Sequence, residues 1–126
     1  MIKFYLKRFL FVFAITFFTL GAIAEDGVTK NRIFIGQNIT LQGGKNDYGA
    51  SVVAGMEAYF NGINTHGGVN GRQIILKTLD DDNKSDLAEA NARQLVEKEK
   101  AFILFGSIEG GPSTAVMKVA NELKVP

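Results

Sequence analysis

The feature that most constrains this chain is a regular alternation of short apolar runs with helical stripes of apolar residues. Strand patterns lie at residues 32–39, 72–79 and 102–105, and an apolar stripe with three- and four-residue spacing follows each of them. The last of them, 102–105, is a continuous apolar run, which is typical of a strand that is covered on both faces, as in a parallel sheet. Strands that alternate with helices favour a parallel sheet with right-handed crossovers. The sequence therefore predicts an α/β fold.

Each predicted helix has one apolar face that can pack on the sheet. The three faces consist of Val52, Val53, Met56, Tyr59, Phe60 and Ile63; of Leu87, Ala88, Ala92, Leu95 and Val96; and of Ala115, Val116, Val119, Ala120 and Leu123. Gly67 and Gly68 predict the end of the first helix. Ser85 is predicted to cap the second helix, and Pro112 to begin the third.

The loop between the third strand and its helix contains three glycines, Gly106, Gly110 and Gly111. Gly106 is predicted to end the strand, and the other two to adopt backbone angles that a side chain would forbid. Free N–H groups and the positive end of the helix dipole at this point suit a carboxylate or a phosphate. The same residues also fit a tight turn with no ligand.

The first 24 residues are predicted to be a secretory signal peptide that is cleaved after Ala24. Three basic residues and no acid lie in 1–8, an apolar run follows over 9–20, and an Ala-x-Ala pattern precedes Glu25. The run is shorter than the roughly 20 residues of a membrane-spanning helix, so an uncleaved anchor is the less favoured interpretation. The mature chain is expected to begin at Glu25 and to lie in the periplasm.

Charge and length exclude some classes of function. Without its first 24 residues the chain keeps 11 of its 14 basic residues and all 13 acidic ones, and the basic residues are scattered, so no nucleic-acid partner is expected. The chain contains no cysteine, so disulfides cannot stabilise it.

Residues 124–126 stop where an alternating pattern would begin its next strand. The sequence is therefore expected to be an N-terminal fragment of a larger fold.

Motifs for catalysis and nucleotide binding fail in this sequence. Gly44 and Lys45 do not form a P-loop, because Ile39 stands where the first glycine is needed and Asn46 where a hydroxyl residue is needed. No dinucleotide fingerprint follows the first strand. His66 has no second histidine or cysteine to work with. No enzyme activity, cofactor or metal is expected.

Three consecutive acids, Asp80, Asp81 and Asp82, follow the second strand. They could bind a divalent cation through their carboxylates. Consecutive acids in a surface loop before a helix are more often solvated and favourable to the helix dipole. The sequence therefore predicts a solvated loop at this point.

A set of short motifs occurs in a fixed order along the mature chain. They are Ile35-Gly36, Leu41-Gln42-Gly43, Tyr48-Gly49, Ile-Asn-x-x-Gly-Gly-Val-Asn-Gly-Arg at 63–72, Asp80-Asp81, the segment 106–115, and Val125-Pro126. The set resembles the type I periplasmic binding proteins of the leucine/isoleucine/valine-binding group, over essentially the whole mature chain. In that family two α/β lobes close over a small solute and present it to an ABC transporter. The resemblance implies a three-layer first lobe with strand order 2-1-3, incomplete in this chain.

The resemblance also implies where the solute binds. The loops 41–48 and 107–113 flank the point where the strand order reverses, which is where ligands bind in open α/β sheets. In the family the second of these loops holds the ligand's carboxylate through backbone N–H groups and a hydroxyl residue, and a tyrosine of the first lines the cleft. The implied ligand-binding residues are Tyr48, Gly110, Gly111, Ser107, Ser113 and Gln42. Gln42 and Gly110 replace hydroxyl residues usual in the family, so backbone N–H groups are expected to be the main anion donors.

Two functions are compatible with this resemblance. The first is an exported protein that captures an amino acid or a related carboxylate or amide for the membrane permease of an ABC importer. The second is an extracytoplasmic ligand-sensing domain of the same fold in a signalling or regulatory protein. A second lobe beyond Pro126 would favour the first, and a membrane span or an output domain the second. An enzyme is the poorest choice, because no acid, base and nucleophile converge on either loop.

Overall fold

The computed structural model describes residues 25–42 and 46–126. The predicted signal peptide, with its cleavage after Ala24, lies outside these residues, as do residues 43–45 of the first loop. Among the residues described, no helix is both long and apolar enough to cross a membrane.

The elements follow the predicted alternation of strand and helix. In chain order they are β1 (Arg32–Ile39), α1 (Asn46–Thr65), β2 (Gln73–Asp80), α2 (Ser85–Arg93), β3 (Ile103–Phe105) and α3 (Gly110–Leu123), and α2 continues as a π-helical turn over Gln94–Lys98. The three strands form one parallel sheet in the order β2-β1-β3. In its register Ile35 lies opposite Leu76 on one side and Ile103 on the other. The predicted α/β fold and strand order are confirmed.

Helices cover both faces of the central strand, as neighbouring residues of β1 show. Side chains alternate between the two faces of a strand. The side chain of Gln37 reaches Met56 of α1, with Nε2 3.1 Å from the sulfur, whereas Asn38 accepts a hydrogen bond of 2.9 Å from Asn91 of α2. Helix α3 packs against α2. The protein therefore has three layers, with α1 on one face and α2 and α3 on the other.

The apolar core that the structure describes lies between the sheet and α2. Phe34, Leu95 and Ala101 form a buried cluster, and Leu79 and Leu104 pack against it. Gly36 of β1 faces this cluster, and a Cβ atom there would lie 3.1 Å from the Cβ atoms of Leu95 and Ala101. The absence of a side chain on Gly36 thus lets α2 approach the central strand closely.

The helix boundaries confirm one prediction and correct another. Helix α1 ends at Thr65, and Gly67 and Gly68 follow with φ of 96° and 74°, as predicted for a glycine stop. The prediction that Ser85 caps α2 is wrong, because Ser85 is already the first helical residue. The cap position is Lys84, whose backbone is extended and whose side chain makes no capping hydrogen bond.

Some residues predicted to be covered are exposed in the part of the chain that the structure describes. Tyr59 and Leu87 were predicted on inner helix faces but are 69% and 37% exposed, because they lie at the margins of the apolar stripes. Phe105 was predicted in a strand covered on both faces but is 52% exposed. It lies at the end of β3, whose neighbour in the sheet is β1. On the other side of β3, the Leu104 N–H donates to the Pro126 carbonyl at 2.8 Å.

Candidate functional site

The candidate site is the edge of the sheet at which the parallel strands end. Strand β1 lies between β2 and β3, so the strand order reverses beside it. The loop after β1 leads to α1 on one face, and the loop after β3 leads to α3 on the other. In open α/β sheets the crevice between two loops that leave neighbouring strands toward opposite faces is the usual ligand position, so we refer to this place as the crevice.

Gly106 begins the loop after β3 and needs to be glycine for two reasons. Its φ of 84° is in a region that L side chains rarely adopt, and a Cβ atom there would lie 2.5 Å from Nε2 of Gln37. Gln37 is fully buried, and its amide oxygen accepts a hydrogen bond of 2.8 Å from the Thr78 hydroxyl. The buried Gln37 side chain of the central strand therefore lies directly against the first residue of this loop.

Ser107 and Ser113 are brought together across the loop after β3. The Ser113 hydroxyl lies 3.1 Å from the Ser107 hydroxyl oxygen and donates to it, and the Ser113 N–H donates to the Glu109 carbonyl at 2.8 Å. Both serines are half-buried. Two of the predicted site residues are thus neighbours in the structure.

Gly110 and Gly111 form the first turn of α3, which starts two residues earlier than predicted. The cap position is Glu109, with an extended backbone at φ −97° and ψ 141°. The prediction that both glycines need angles forbidden to a side chain is wrong, because neither has a positive φ. A Cβ atom on Gly110 would meet nothing within 4 Å, whereas one on Gly111 would lie 2.8 Å from Oγ of Ser85.

The N–H groups of this first turn have no partner within the helix, as in any α-helix. Pro112, the third helical residue, is buried and has no N–H to leave unsatisfied. The turn therefore presents the N–H groups of Gly110 and Gly111 at the positive end of the α3 dipole.

The residues of the α3 loop line two grooves on different sides of the helix start. Gly110 and Gly111 line a shallow groove of about 690 Å³ that also contains Ser85 at the start of α2. Ser107 and Ser113 line a smaller groove of about 200 Å³ beside the end of β3. The predicted residues of this loop are thus close in sequence but divided between two surfaces.

Tyr48 lies in the first turn of α1, and its side chain is 64% exposed. The next residue, Gly49, is buried against the end of β1. A Cβ atom on Gly49 would lie only 1.9 Å from the Thr40 carbonyl oxygen. This close approach fixes the start of α1, and with it the backbone of Tyr48, beside the end of β1.

The prediction of a solvated acidic loop is wrong for Asp81, which is completely buried. One carboxylate oxygen accepts a hydrogen bond of 2.6 Å from the Asn38 amide. The other accepts hydrogen bonds from the Thr40 hydroxyl at 2.5 Å and the Asn83 N–H at 2.9 Å. Asn91 of α2 extends this network to Asn38. The sequence hinted at this network only through the polar residues at the end of the central strand, and these do not reveal their partners.

Asp80 is also engaged with the loop after β1. One of its carboxylate oxygens accepts from the N–H groups of Leu41 and Asp82, each at 2.9 Å, and the other accepts from the Gln42 amide at 2.8 Å. Burial raises the pKa of Asp80, but these three hydrogen bonds outweigh it and hold the pKa below its ordinary value. Only Asp82 is paired at the surface, 2.5 Å from Lys84.

A ladder of ion pairs joins α2 to α3 below the start of α3. Lys118 of α3 lies 3.1 Å from Glu89 of α2, and Arg93 of α2 lies 2.6 Å from Glu122 of α3. The hydrogen bond from Lys118 lowers the pKa of Glu89, and the hydrogen bond to Glu122 raises the pKa of Arg93. Pairs this exposed contribute little stability individually, so their main effect is on the alignment of the two helices.

Within residues 25–42 and 46–126, no three histidine, cysteine, aspartate or glutamate side chains are arranged to hold a metal ion. His66 lies just beyond the end of α1, where its Nδ1 is 2.8 Å from the Gly62 carbonyl oxygen. This contact is local to the helix terminus and lies away from the loops after the strands.

The strand order and the crevice define an open α/β lobe of the kind found in periplasmic binding proteins. The family model described as "Periplasmic binding protein" matches residues 32–126. The chain therefore belongs to the periplasmic binding protein family, and its fold is that of the first lobe of a type I, leucine/isoleucine/valine-binding member. No curated protein matches the chain.

Solved structures of similar sequence have the same fold. The branched-chain amino acid transporter substrate-binding protein LivJ from Streptococcus pneumoniae, in complex with isoleucine, is 27% identical with a TM-score of 0.72, over 76% of this chain and 28% of that one. An extracellular ligand-binding receptor from Rhodopseudomonas palustris HaA2 is 32% identical with a TM-score of 0.66, over 76% and 25%. A solute-binding protein of an ABC transporter from R. palustris, in complex with benzoate, is 26% identical with a TM-score of 0.68, over 76% and 26%. The chain thus spans about a quarter of the length of these proteins.

Proposed function

We propose that this protein is an exported solute-binding protein that captures a small carboxylate or amide, such as an amino acid, and delivers it to the permease of an ABC importer. Family membership supports a binding role rather than a catalytic one. Two of the similar structures hold isoleucine and benzoate. Both solutes combine a carboxylate with an apolar body. The proposed ligand for this chain is of the same chemical class.

The observation that carries the proposal is the position of the first turn of α3 at the reversal of strand order. In the proposed complex the solute's carboxylate accepts hydrogen bonds from the N–H groups of Gly110 and Gly111. Hydrogen bonds to a charged acceptor are stronger than neutral ones, and the helix dipole adds to them. Ser107 and Ser113 line the neighbouring groove and not this one, so the proposed complex uses the Ser107 hydroxyl, which accepts from Ser113, only for a part of the solute that reaches past the start of α3.

The loop after β1 is proposed to form the opposite wall of the crevice. Tyr48 offers an exposed aromatic surface to the apolar body of the solute, and Gln42 an amide at the rim. Such a wall alone buries too little of a ligand for tight binding. The proposal therefore includes a second lobe that closes over the solute.

Export is part of the same proposal. Residues 1–24 are proposed to direct secretion and to be removed after Ala24, so the mature protein would begin at Glu25 in the periplasm. The intact mass of the protein from a periplasmic extract tests this directly. Recovery only from the membrane fraction, with Met1 retained, would contradict it.

The test of solute binding is calorimetric titration of the full-length mature protein with isoleucine and with benzoate. Saturable binding of at least one of them, with a stoichiometry near one, is expected. If neither solute binds, the proposed ligand class is wrong. The sensing alternative is distinguished by the gene: an output domain or a membrane span after the binding domain would replace the importer role with signalling.

A further inference from the structure

The chain contains two Asn-Gly pairs, Asn61-Gly62 and Asn70-Gly71, in different backbone settings. Asparagine before glycine loses its side-chain amide most readily, because glycine has no side chain to hinder the attack of its own backbone nitrogen on the asparagine side chain. The first pair lies inside helix α1, and the second lies in the connection between α1 and β2. Both asparagines are exposed, so the two pairs differ mainly in their backbone.

Asn70 and Gly71 form a tight two-residue turn. The flanking residues Val69 and Arg72 make an antiparallel bridge, in which the Val69 N–H donates to the Arg72 carbonyl at 2.8 Å and the Arg72 N–H donates to the Val69 carbonyl at 3.0 Å. The φ angles of Asn70 and Gly71 are 51° and 79°. Positive φ at both central residues defines a type I′ turn, which favours Asn-Gly. Two main-chain hydrogen bonds therefore close the turn around Asn70.

The Gly71 nitrogen is accessible to solvent. None of residues 25–42 and 46–126 accepts a hydrogen bond from the Gly71 N–H. The attacking species is the deprotonated amide nitrogen, so an exposed N–H without a partner is open to removal of its proton by hydroxide. The nitrogen must also approach Cγ of Asn70, which requires the turn to open. Exposed turn tips open locally at a low cost in free energy.

The Gly62 nitrogen is protected by the helix. Gly62 lies in the interior of α1, where a backbone N–H donates to the carbonyl four residues earlier. This part of the helix is also joined to β2, because Asn64 Nδ2 donates to the Ile74 carbonyl and the Ile74 N–H donates to Asn64 Oδ1, each at 2.8 Å. Unwinding α1 around Gly62 would break the helical bonds and put this junction at risk.

We propose that Asn70 is a site of spontaneous deamidation and isomerisation in the folded protein, and that Asn61 is protected. The Gly71 nitrogen forms a bond to Cγ of Asn70 as the Cγ–Nδ2 bond breaks, and the side-chain nitrogen leaves as ammonia with the proton from the Gly71 N–H. The product is a five-membered succinimide ring. Water opens the ring at Cγ to give aspartate, or at the main-chain carbonyl to give isoaspartate.

Isoaspartate changes the turn, because its main chain runs through Cβ and Cγ and is one atom longer. The pairing of Val69 with Arg72 is then out of register. Arg72 also donates from Nε to the Thr29 carbonyl at 2.9 Å, so the damage reaches the segment that precedes β1. The turn lies at the start of β2, at the opposite edge of the sheet from the first turn of α3. The inference is therefore independent of the proposed solute site.

The test is to age the full-length mature protein in mildly alkaline buffer and to locate the deamidated residues by mass spectrometry. Trypsin cleaves after Lys45 and Arg72, so both Asn-Gly pairs lie in one peptide, 46–72, and fragment ions distinguish them. We expect Asn70 to react at least about tenfold faster than Asn61, which corresponds to a difference of about 1.4 kcal/mol in the activation barrier. In urea that unfolds the protein, the two rates should become similar.

Two variants connect the chemistry to stability. N70G cannot deamidate at this position and keeps the turn, because Gly-Gly also favours type I′ geometry. Aged wild type should unfold at a lower urea concentration than fresh wild type, whereas aged N70G should keep the midpoint of fresh N70G. N61Q removes the helical pair and should age like the wild type.

Two results would overturn the inference. One is reaction of Asn61 at least as fast as that of Asn70 in the folded protein. The other is an unreacted Asn70 in the folded protein after a time in which the urea-unfolded protein converts both asparagines.

Discussion

Replacing Gly110 with proline would remove one N–H group from the first turn of α3 with little change elsewhere. Gly110 is the first helical residue, a position that proline favours because its fixed φ suits a helix and its missing N–H has no helical partner. Glu109 before it already has the extended backbone that a following proline requires. Apart from its chain neighbours and the backbone of its own helical turn, a Cβ atom on Gly110 would meet no atom within 4 Å. The substitution therefore removes the Gly110 N–H donor without removing a hydrogen bond of the helix.

The expected loss follows from the chemistry of that donor. A hydrogen bond to a charged group contributes about 1.5–3 kcal/mol, which corresponds to a dissociation constant roughly tenfold to 150-fold weaker. Gly110→Ala is the matched control, since it keeps the N–H and adds its methyl group into open space. The alanine variant should bind like the wild type.

Titration of the three proteins with isoleucine and benzoate gives the comparison, and thermal unfolding checks the fold. If the proline variant is folded and binds as tightly as the alanine variant, the Gly110 N–H is not a donor to the solute. Gly111 is less suitable for this test, because a side chain there would press on Ser85 of α2.

Three further predictions concern stability. Gly106→Ala should lower the free energy of unfolding by about 1–2 kcal/mol because of its positive φ. Gly62→Ala, in an exposed helical position with open space around it, should raise the free energy of unfolding by up to about 1 kcal/mol. Urea unfolding of both variants measures the difference, and equal effects would contradict it. Asp81→Ala should cost about 3 kcal/mol because it leaves buried donors without an acceptor. Asp82→Asn should cost less than about 0.5 kcal/mol, because asparagine tolerates the φ of 49° at this position. Similar midpoints in urea would refute this contrast. The pKa of Asp80 in the folded protein lies below its ordinary value of 3.8, so its ionisation stabilises the fold fully above pH 3.8. This contribution disappears as the pH falls through the folded-state pKa. The stability difference between wild type and D80N, followed from pH 6 to pH 2, should therefore shrink only below about pH 4.

The order and type of the elements could be predicted because they follow from local patterns. Apolar runs and three- and four-residue stripes identified each strand and each helix, and the glycines after Thr65 identified the end of α1. The start of α3 was predicted two residues late, at Pro112 instead of Gly110. The first-turn N–H groups of any helix lack helical partners, so proline fits several positions of that turn, and its presence does not fix the boundary.

The polar network could not be predicted because its partners are far apart in sequence. Three consecutive aspartates resemble a solvated loop when they are considered alone. The donors to Asp81, Asn38 and Thr40, lie in and just after a strand about 40 residues earlier, and only the parallel register of β1 and β2 places them beside Asp81. The steric constraint on Gly111 could not be predicted either, because it comes from the Ser85 side chain on another helix. The predicted site residues at positions 42, 48, 107, 110, 111 and 113 remain predictions for binding.

The most direct test of the account is to observe the amide groups of Gly110 and Gly111 while solute is added. Selective ¹⁵N-glycine labelling of the full-length mature protein limits the signals from residues 25–126 to 13 glycines, because Gly21 lies in the predicted signal peptide, and the Gly110→Ala and Gly111→Ala variants assign the two of interest. Amide protons that begin to donate to a carboxylate shift downfield. We expect saturable downfield shifts of the Gly110 and Gly111 amide signals, with the dissociation constant found by calorimetry for isoleucine or benzoate. Saturating binding that leaves both signals unmoved would contradict a solute site at the first turn of α3.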